Sequence, residues 1–325
     1  MATANQLKTL IKSHFEENNE KFNTVALQIA AHEAKLGHSN LANDIRQIID
    51  NGKKPSPKLK PLNSELQGLV LEVESDKKLT DLIVSSEIKD RINRIIREFT
   101  HRNKLLSHNL ENRRKILFSG PPGTGKTMSA SIISNELHLP IYVILMDKVV
   151  TKYMGETSAK LRQIFDLIVD RPAVYLFDEF DAIGSQRGKD NDVGEMRRVL
   201  NSFLQFLERD NSESLIIAAT NNLGMLDQAL FRRFDDVIHY NLPSNEEKIQ
   251  LLKSRLGKNV TSKDINILLP MLENLSHAEI NQACLDAIKE SVLNNTDISL
   301  SLIEKTIKEL SLIHISEPTR HAQIS

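Results

Sequence analysis

The sequence predicts an α/β protein: a parallel sheet with helices on both faces, preceded by a small helical domain and followed by a helical lid. Three observations carry that prediction. Short apolar runs alternate with helical patterns through the middle of the chain, a glycine-rich segment joins one such run to one such helix, and the strand signal stops near Ser244. Strands joined by crossover helices produce this alternation, because the helices must cover both faces of the sheet they connect.

From Leu7 to Ile49 apolar residues recur at helical spacing, as in Leu7, Leu10, Ile11 and Phe15 and again in Phe22, Val25, Ala26 and Ile29. The pattern ends at Asp50-Asn51-Gly52, and the following segment, Lys53 to Pro61, holds three prolines and four lysines. Proline removes helical hydrogen bonds and lysine favours solvation, so this stretch predicts a linker. Strands are predicted at Lys115 to Ser119, Ile141 to Met146, Ala173 to Phe177, Leu215 to Thr220 and Val237 to Tyr240. Beyond Ser244 only helical periodicity remains. The expected divisions are a helical domain over 1–50, a linker over 51–63, an α/β domain over 64–243 and a helical lid over 244–309. The remainder, Leu310 to Ser325, matches the in-frame translation of a transposase adapter used in short-read sequencing, and 310–325 is set aside as read-through.

The totals exclude several classes of function. With 42 Lys+Arg against 43 Asp+Glu, no global field draws the chain to nucleic acid or to an anionic membrane. Nor does any apolar run approach the roughly 20 residues of a membrane span, and the expected location is the cytoplasm. Cys284 is the single cysteine, flanked by Ala283 and Leu285, and reads as buried packing with no role in thiol or disulfide chemistry.

Gly120-Pro121-Pro122-Gly123-Thr124-Gly125-Lys126-Thr127 matches G-x-x-x-x-G-K-[ST] and lies after a strand and before a helix starting near Lys126. Its glycines let backbone N–H groups converge on phosphate oxygens, Lys126 places a cation at the β- and γ-phosphates, and the Thr127 hydroxyl suits Mg²⁺. The second half of such a site is a carboxylate at another strand end. The run Ala173 to Phe177 leads into Asp178-Glu179, where Asp178 is expected on Mg²⁺ and Glu179 as general base. ATP and Mg²⁺ are therefore the expected ligands.

Between and after these motifs, from roughly Leu79 to Leu310, the order and spacing of residues resemble the AAA family of ATPases. Leu215-Ile216-Ile217-Ala218-Ala219-Thr220-Asn221 is similar to that family's sensor strand, which implies Asn221 beside the γ-phosphate and the attacking water. The segment from Leu226 to Asp235 resembles the second region of homology. It implies Arg233 as a finger reaching a neighbouring subunit's ATP, and hence a homo-oligomeric, hexameric ring, with Arg232 as a second finger. Many members separate these arginines by a Pro-Gly insert that is missing here. Lys152-Tyr153-Met154-Gly155-Glu156 resembles the first pore loop, in which Tyr153 and Met154 would grip a polypeptide. Gly184 to Gly194 is either a second pore loop or a connector.

Leu275-Ser276-His277-Ala278-Glu279 is similar to the family's lid-helix start, with His277 in place of Gly and Ser276 as N-cap. No arginine stands there, which fits remodelling enzymes better than clamp or helicase loaders. Asp81-Leu82-Ile83 falls where the family's adenine pocket begins. The resemblance implies an ATP-driven protein remodeller or unfoldase, served by a protein substrate or a partner protease. The alternatives are a nucleotide-gated scaffold that regulates a partner enzyme, and a DNA-associated loader, against which balanced charge and the lack of a DNA-binding module stand.

Overall fold

The computed structural model describes residues 8–9, 12–13, 19–35, 37–38, 41–45, 66–150, 154–183, 190–222, 231–257 and 260–321. Two compact units divide the chain, Met1–Pro61 and Leu62–Ser325. In the first, helix α1 (Asn19–Lys35) buries Val25, Ala26, Ile29 and Ala30, the i, i+1, i+4, i+5 stripe of an amphipathic helix. Glu33, also buried, accepts from the His38 ring at 2.7 Å, so a polar residue among these apolar ones is paired.

The second unit is built on a six-stranded sheet: β1 (Val70–Val73), β2 (Lys115–Ser119), β3 (Ile141–Ile144), β4 (Val174–Phe177), β5 (Leu215–Thr220) and β6 (Asp236–His239). Their spatial order is β1-β3-β4-β5-β2-β6. Every pairing among β2 to β6 is parallel. One strand was not expected: β1 adds an antiparallel edge to β3, with Val70 opposite Ile144 and Val73 opposite Ile141, and makes the sheet mixed.

The period of two along each strand sends alternate residues to opposite faces. Leu117, Tyr142, Ile144, Tyr175, Phe177, Ile216 and Ala218 point to one face. There they meet helix α6 (Met154–Asp170) through Leu161, Ile164, Phe165 and Ile168, and helix α7 (Asp190–Arg209) through Val199, Phe203, Leu204 and Leu207. Phe203 stands at the centre, with its ring centroid 4.6 Å from Phe180, 5.1 Å from Phe177 and 5.6 Å from Phe165. Ile116, Phe118, Val174, Leu176, Leu215, Ile217 and Ala219 face the other way. They pack on helix α2 (Ser86–Thr100) and helix α4 (Lys126–Leu137). In α2 the Ser85 hydroxyl accepts from Ile88 N, and Ile88, Ile92, Ile95 and Phe99 form the buried stripe. The short helices α3 (Arg102–Leu106) and α5 (Met146–Val149) complete this part.

A third, separate core holds helices α8 (Asn245–Leu256), α9 (Ser262–Leu268), α10 (His277–Asn294) and α11 (Leu300–His321). Ser244, Thr261 and Ser276 each start a helix with a capping box, closed by Glu247, Asp264 and Glu279. Cys284 is buried here, and burial pushes its thiol up to about 11, which suits packing and not nucleophilic chemistry. Helix α11 runs past Leu310 without a break, and Leu310 itself packs on this core.

Candidate functional site

Strands β4, β5 and β2 are neighbours and parallel, so their carboxyl ends lie side by side. Each of the three ends in a polar element: β4 in Asp178-Glu179, β5 in Asn221, and β2 in the loop Gly120 to Gly125 that enters α4 at Lys126. Ligands of open α/β sheets bind at this edge, because loops and helix N-termini converge there and strands do not obstruct them.

Glycine is required at two points of the loop. At Gly120, with φ +142°, a Cβ would lie 2.0 Å from the Tyr240 carbonyl oxygen, since β6 continues directly alongside. At Gly123, with φ +72°, a Cβ would lie 2.5 Å from Ser276 Oγ. The Gly123 carbonyl there accepts from Ala278 N at 3.0 Å, tying the loop to the start of α10. Thr124 is fully buried and its hydroxyl donates to the Pro121 carbonyl at 2.8 Å, which fixes the loop from within.

Lys126 is 6% exposed. Its ammonium donates to the carbonyls of Gly120 (2.7 Å) and Pro121 (2.8 Å) and to Asn221 Oδ1 (2.8 Å), which uses all three of its protons. Burial lowers its pKa from the ordinary lysine value, and the charges of Asp178 and Asp181 pull it back up. Beside it, Thr127 Oγ1 donates to Asp178 Oδ2 at 2.7 Å, and Asp178 Oδ1 accepts from Glu179 N at 2.9 Å. Glu179 has φ +51°, a left-handed conformation that side chains other than glycine rarely adopt. Asn221 is oriented from behind, its backbone N–H donating to Asp181 Oδ1 at 3.2 Å.

These groups face a cavity of about 780 Å³. Pro122, Gly123, Thr124, Gly125, Lys126, Thr127, Asp178, Glu179 and Asn221 line one end. Asp81, Leu82, Ile83, Leu251, His277 and Asn281 line the other. Gly120 and Pro121, at the start of the loop, do not line the cavity, and their carbonyls accept from Lys126. His277 forms part of the cavity wall, and burial lowers its pKa, which favours the neutral imidazole.

Arg232 and Arg233 are not brought to the cavity. Both are exposed, and Arg233 forms an ion pair with Glu208 near the end of α7. Tyr153 and the segment 223–230 lie outside the described residues. Met154 is described only as the first backbone residue of α6, and Gly184 to Gly194 falls largely outside as well. Several residues of the cavity wall escape a motif-based reading, among them Asn281, Arg255 and Ser254. Leu251, Ser254 and Arg255 stand at i, i+3 and i+4 of α8, a helical spacing legible in the sequence, but nothing local says which face of α8 meets the loop.

The family profile "ATPase family associated with various cellular activities (AAA)" matches residues 116–242. The chain is 32% identical over 300 residues to "Uncharacterized AAA family ATPase y4kL" of Sinorhizobium fredii, which is 90% of this chain and 90% of that protein. Over 237 residues it is 32% identical to "ATP-dependent zinc metalloprotease FtsH" of Mesomycoplasma conjunctivae, taking in 68% of this chain and 31% of that protein. Among solved structures, "Crystal structure of FIGL-1 AAA domain" aligns with a TM-score of 0.61 at 20% identity, over 78% of this chain and 92% of that one, which is a likeness of fold. Six strands in this order, a glycine loop docked on the lid, and kinship along nearly the whole of a relative all agree. The chain belongs to the AAA family of ATPases, enzymes that bind ATP and hydrolyse it.

Proposed function

We propose that this chain works as one subunit of a hexameric ring that remodels or unfolds protein substrates at the expense of ATP. The observation that carries the reading is the division of charge. The phosphate end of the cavity gathers Lys126, Asp178, Glu179 and Asn221 from one subunit, while Arg232 and Arg233 stand exposed and away from it. A cation that assists phosphoryl transfer without reaching its own subunit's cavity fits a cavity on the next subunit. The Arg233–Glu208 pair is a surface pair, which contributes little stability, so a neighbour's phosphate competes for this arginine at small cost.

In this reading Lys126 exchanges carbonyl contacts for oxygens of the β- and γ-phosphates, a trade of neutral acceptors for anionic ones that strengthens its hydrogen bonds. Loop N–H groups and the N-terminus of α4 add donors and a favourable dipole to the same phosphates. The family implies magnesium, and Thr127 Oγ1 and Asp178 Oδ2, two hard oxygens 2.7 Å apart, are a donor set that suits it. When bound there, the ion supplies charge neutralisation of the phosphate oxygens. Glu179 accepts a proton from water as the water oxygen attacks the γ-phosphorus, and the bond from that phosphorus to the bridging oxygen breaks to give ADP and phosphate. Asn221 orients the water, held in place by Asp181.

The remodelling step is assigned to Tyr153 and Met154, on the resemblance of their segment to a pore loop. The FtsH relative is named as an ATP-dependent metalloprotease, and this chain covers 31% of it. Tyr153→Ala tests the assignment, because it removes the aromatic side chain and leaves Lys126, Asp178, Glu179 and Asn221 unchanged. Basal ATP turnover should stay within about twofold of wild type. Substrate-stimulated turnover and unfolding of a tagged reporter should be lost. Remodelling at the wild-type rate would leave the second reading, a nucleotide-gated scaffold, as the better one.

A further inference from the structure

The turn that carries Arg232 and Arg233 meets the sheet at the edge opposite the phosphate loop. In the register of β2 and β6, Ile116 lies beside Asp236 and Ser119 beside His239, so Asp235, just before β6, sits at the start of β2. From Lys115 to Ser119 that strand rises roughly 13 Å, at about 3.3 Å per residue, farther than an arginine side chain extends. This separation supports a role for the two arginines outside their own subunit's cavity.

Packing seats the turn but does not aim it. Phe234 is 8% exposed and joins the core that the strands share with α6 and α7, and Phe231 packs against the same core. Apolar contacts are non-directional, so they leave open which way the neighbouring arginines head. Direction comes from Asp235. Its Oδ2 accepts from the backbone N–H of Arg114 at 2.8 Å and of Lys115 at 2.9 Å, and its own N–H donates to the Lys115 carbonyl at 2.8 Å. A carboxylate that accepts from two consecutive N–H groups makes charge-assisted bonds, which fix geometry more firmly than neutral ones.

Arg114 ties the turn to α7 as well. Its guanidinium donates to the carboxylate and to the carbonyl of Asp210, the residue that follows α7. Glu208, two residues earlier, pairs with Arg233. Arg114, Asp210, Glu208, Arg233 and Asp235 thus close a circuit, with Asp235 on the backbone of Arg114 and the end of α7 on its side chain. Asp210 is 4% exposed, so removing Arg114 would strand a buried charge and harm the fold. Asp235 is exposed, and its carboxylate bonds only where the turn meets β2. It is the member of the circuit whose removal isolates the aim of the turn.

We propose that Asp235 is a positioning residue for Arg233: by bonding the turn to Arg114 and Lys115 it sets the direction in which the guanidinium leaves the subunit. The inference rests on the reading of Arg233 as a finger for a neighbouring cavity, and goes beyond it by naming what aims the arginine. A displacement of 1 Å in a catalytic constellation can cost about 10²-fold in rate, so freedom at this turn is expressed as lost turnover and not as lost nucleotide binding.

Turnover, ADP binding and subunit mixing, all with the full chain, test it. Asp235→Ala should lower kcat by about 10–100-fold and leave ADP affinity within about twofold of wild type, since the phosphate loop is unchanged. Both backbone N–H groups bond one oxygen, so Asp235→Asn, which keeps a carbonyl oxygen, should hold kcat within about fivefold of wild type. Mixing Asp235→Ala with Lys126→Ala should raise phosphate release severalfold above the separate proteins, because the second supplies a well-aimed arginine to the cavity of the first. Mixing Asp235→Ala with Arg233→Ala should give no gain, since neither supplies one. A general folding defect would not sort in this way. The mixture of Arg233→Ala with Lys126→Ala is the control for the underlying reading. Suppose that control recovers activity. The assignment is then overturned, and the finger stands, if Asp235→Ala turns over at the wild-type rate, loses ADP affinity along with turnover, is no slower than Asp235→Asn, or stays inactive beside Lys126→Ala. If the control itself shows no recovery, the finger reading falls and takes the assignment with it.

Discussion

Glu179 combines two demands that pull in different directions. As the residue after Asp178 it must turn the chain at the end of β4, and φ +51° is a conformation that favours glycine. As the expected general base it must carry a carboxylate. A non-glycine residue held in this region costs on the order of 1 kcal/mol, and such strain gathers at functional positions. Two substitutions separate the demands. Glu179→Gln keeps the strain and the shape but is a far poorer proton acceptor, so ATP affinity should persist while turnover drops by about 10²–10⁴-fold. Glu179→Gly should lose turnover to the same extent yet raise the melting temperature by roughly 2–4 °C, the shift expected for about 1 kcal/mol in a domain of this size. Near-normal turnover in Glu179→Gln, measured by phosphate release, removes the residue from the mechanism. A lower melting temperature in Glu179→Gly refutes the strain.

At the scale of elements, the phosphate loop and the lid meet through very small groups. The Gly123 carbonyl bonds Ala278 N at 3.0 Å, and Ser276 Oγ occupies the space a Cβ on Gly123 would need. Leu82 and Ile83 make a second junction, one residue packed in the sheet-side core and the next on the lid core. Gly123→Ala should therefore act as a lid mutation as much as a loop mutation. The added methyl must displace Ser276 at a position whose φ is already +72°, and overpacking with backbone strain costs about 1–3 kcal/mol. Thermal melts should show a lower midpoint without nucleotide, and a smaller rise when ADP is added, since ligand stabilisation falls with affinity. A variant that melts and responds to ADP as wild type does would show that the loop and lid are not mechanically joined here.

The molecule as a whole sets the cavity of Lys126, Asp178, Glu179 and Asn221 apart from two exposed arginines, Arg232 and the Glu208-paired Arg233. Arg233→Ala should lower turnover by about 10³–10⁵-fold if its guanidinium stabilises the transferring phosphoryl group of a neighbour. Lys126→Ala should be inactive for the opposite reason, since it cannot hold ATP. Mixing the two inactive proteins should restore part of the activity, because some interfaces then pair an intact cavity with an intact arginine. Phosphate release that stays at the level of the separate variants, across mixing ratios, would place Arg233 outside any shared site.

Much of this was local and therefore legible. The strands at Lys115–Ser119, Val174–Phe177 and Leu215–Thr220 were visible as apolar runs because β-strands buried on both faces need no alternation, and their order in the chain fixed an α/β class. The spacing of Gly120 to Thr127, followed far downstream by Asp178-Glu179 and by Asn221, named residues that the folded chain gathers around one cavity. The edge strand Val70–Val73 was not legible, since four residues with only partial burial carry little pattern and their pairing with Ile141–Ile144 is set by distant chain. Nor could Asn281 and Arg255 be found by motif, because each is an ordinary polar residue on a helix, and only the tertiary packing of α8 and α10 places them in the cavity wall. The sequence by itself determined the fold class and the residues proposed to meet phosphate, since their geometry is built from neighbours along the chain. The tertiary structure decided what surrounds the other end of the cavity and which arginines stand apart from it, since those depend on packing between segments more than a hundred residues apart.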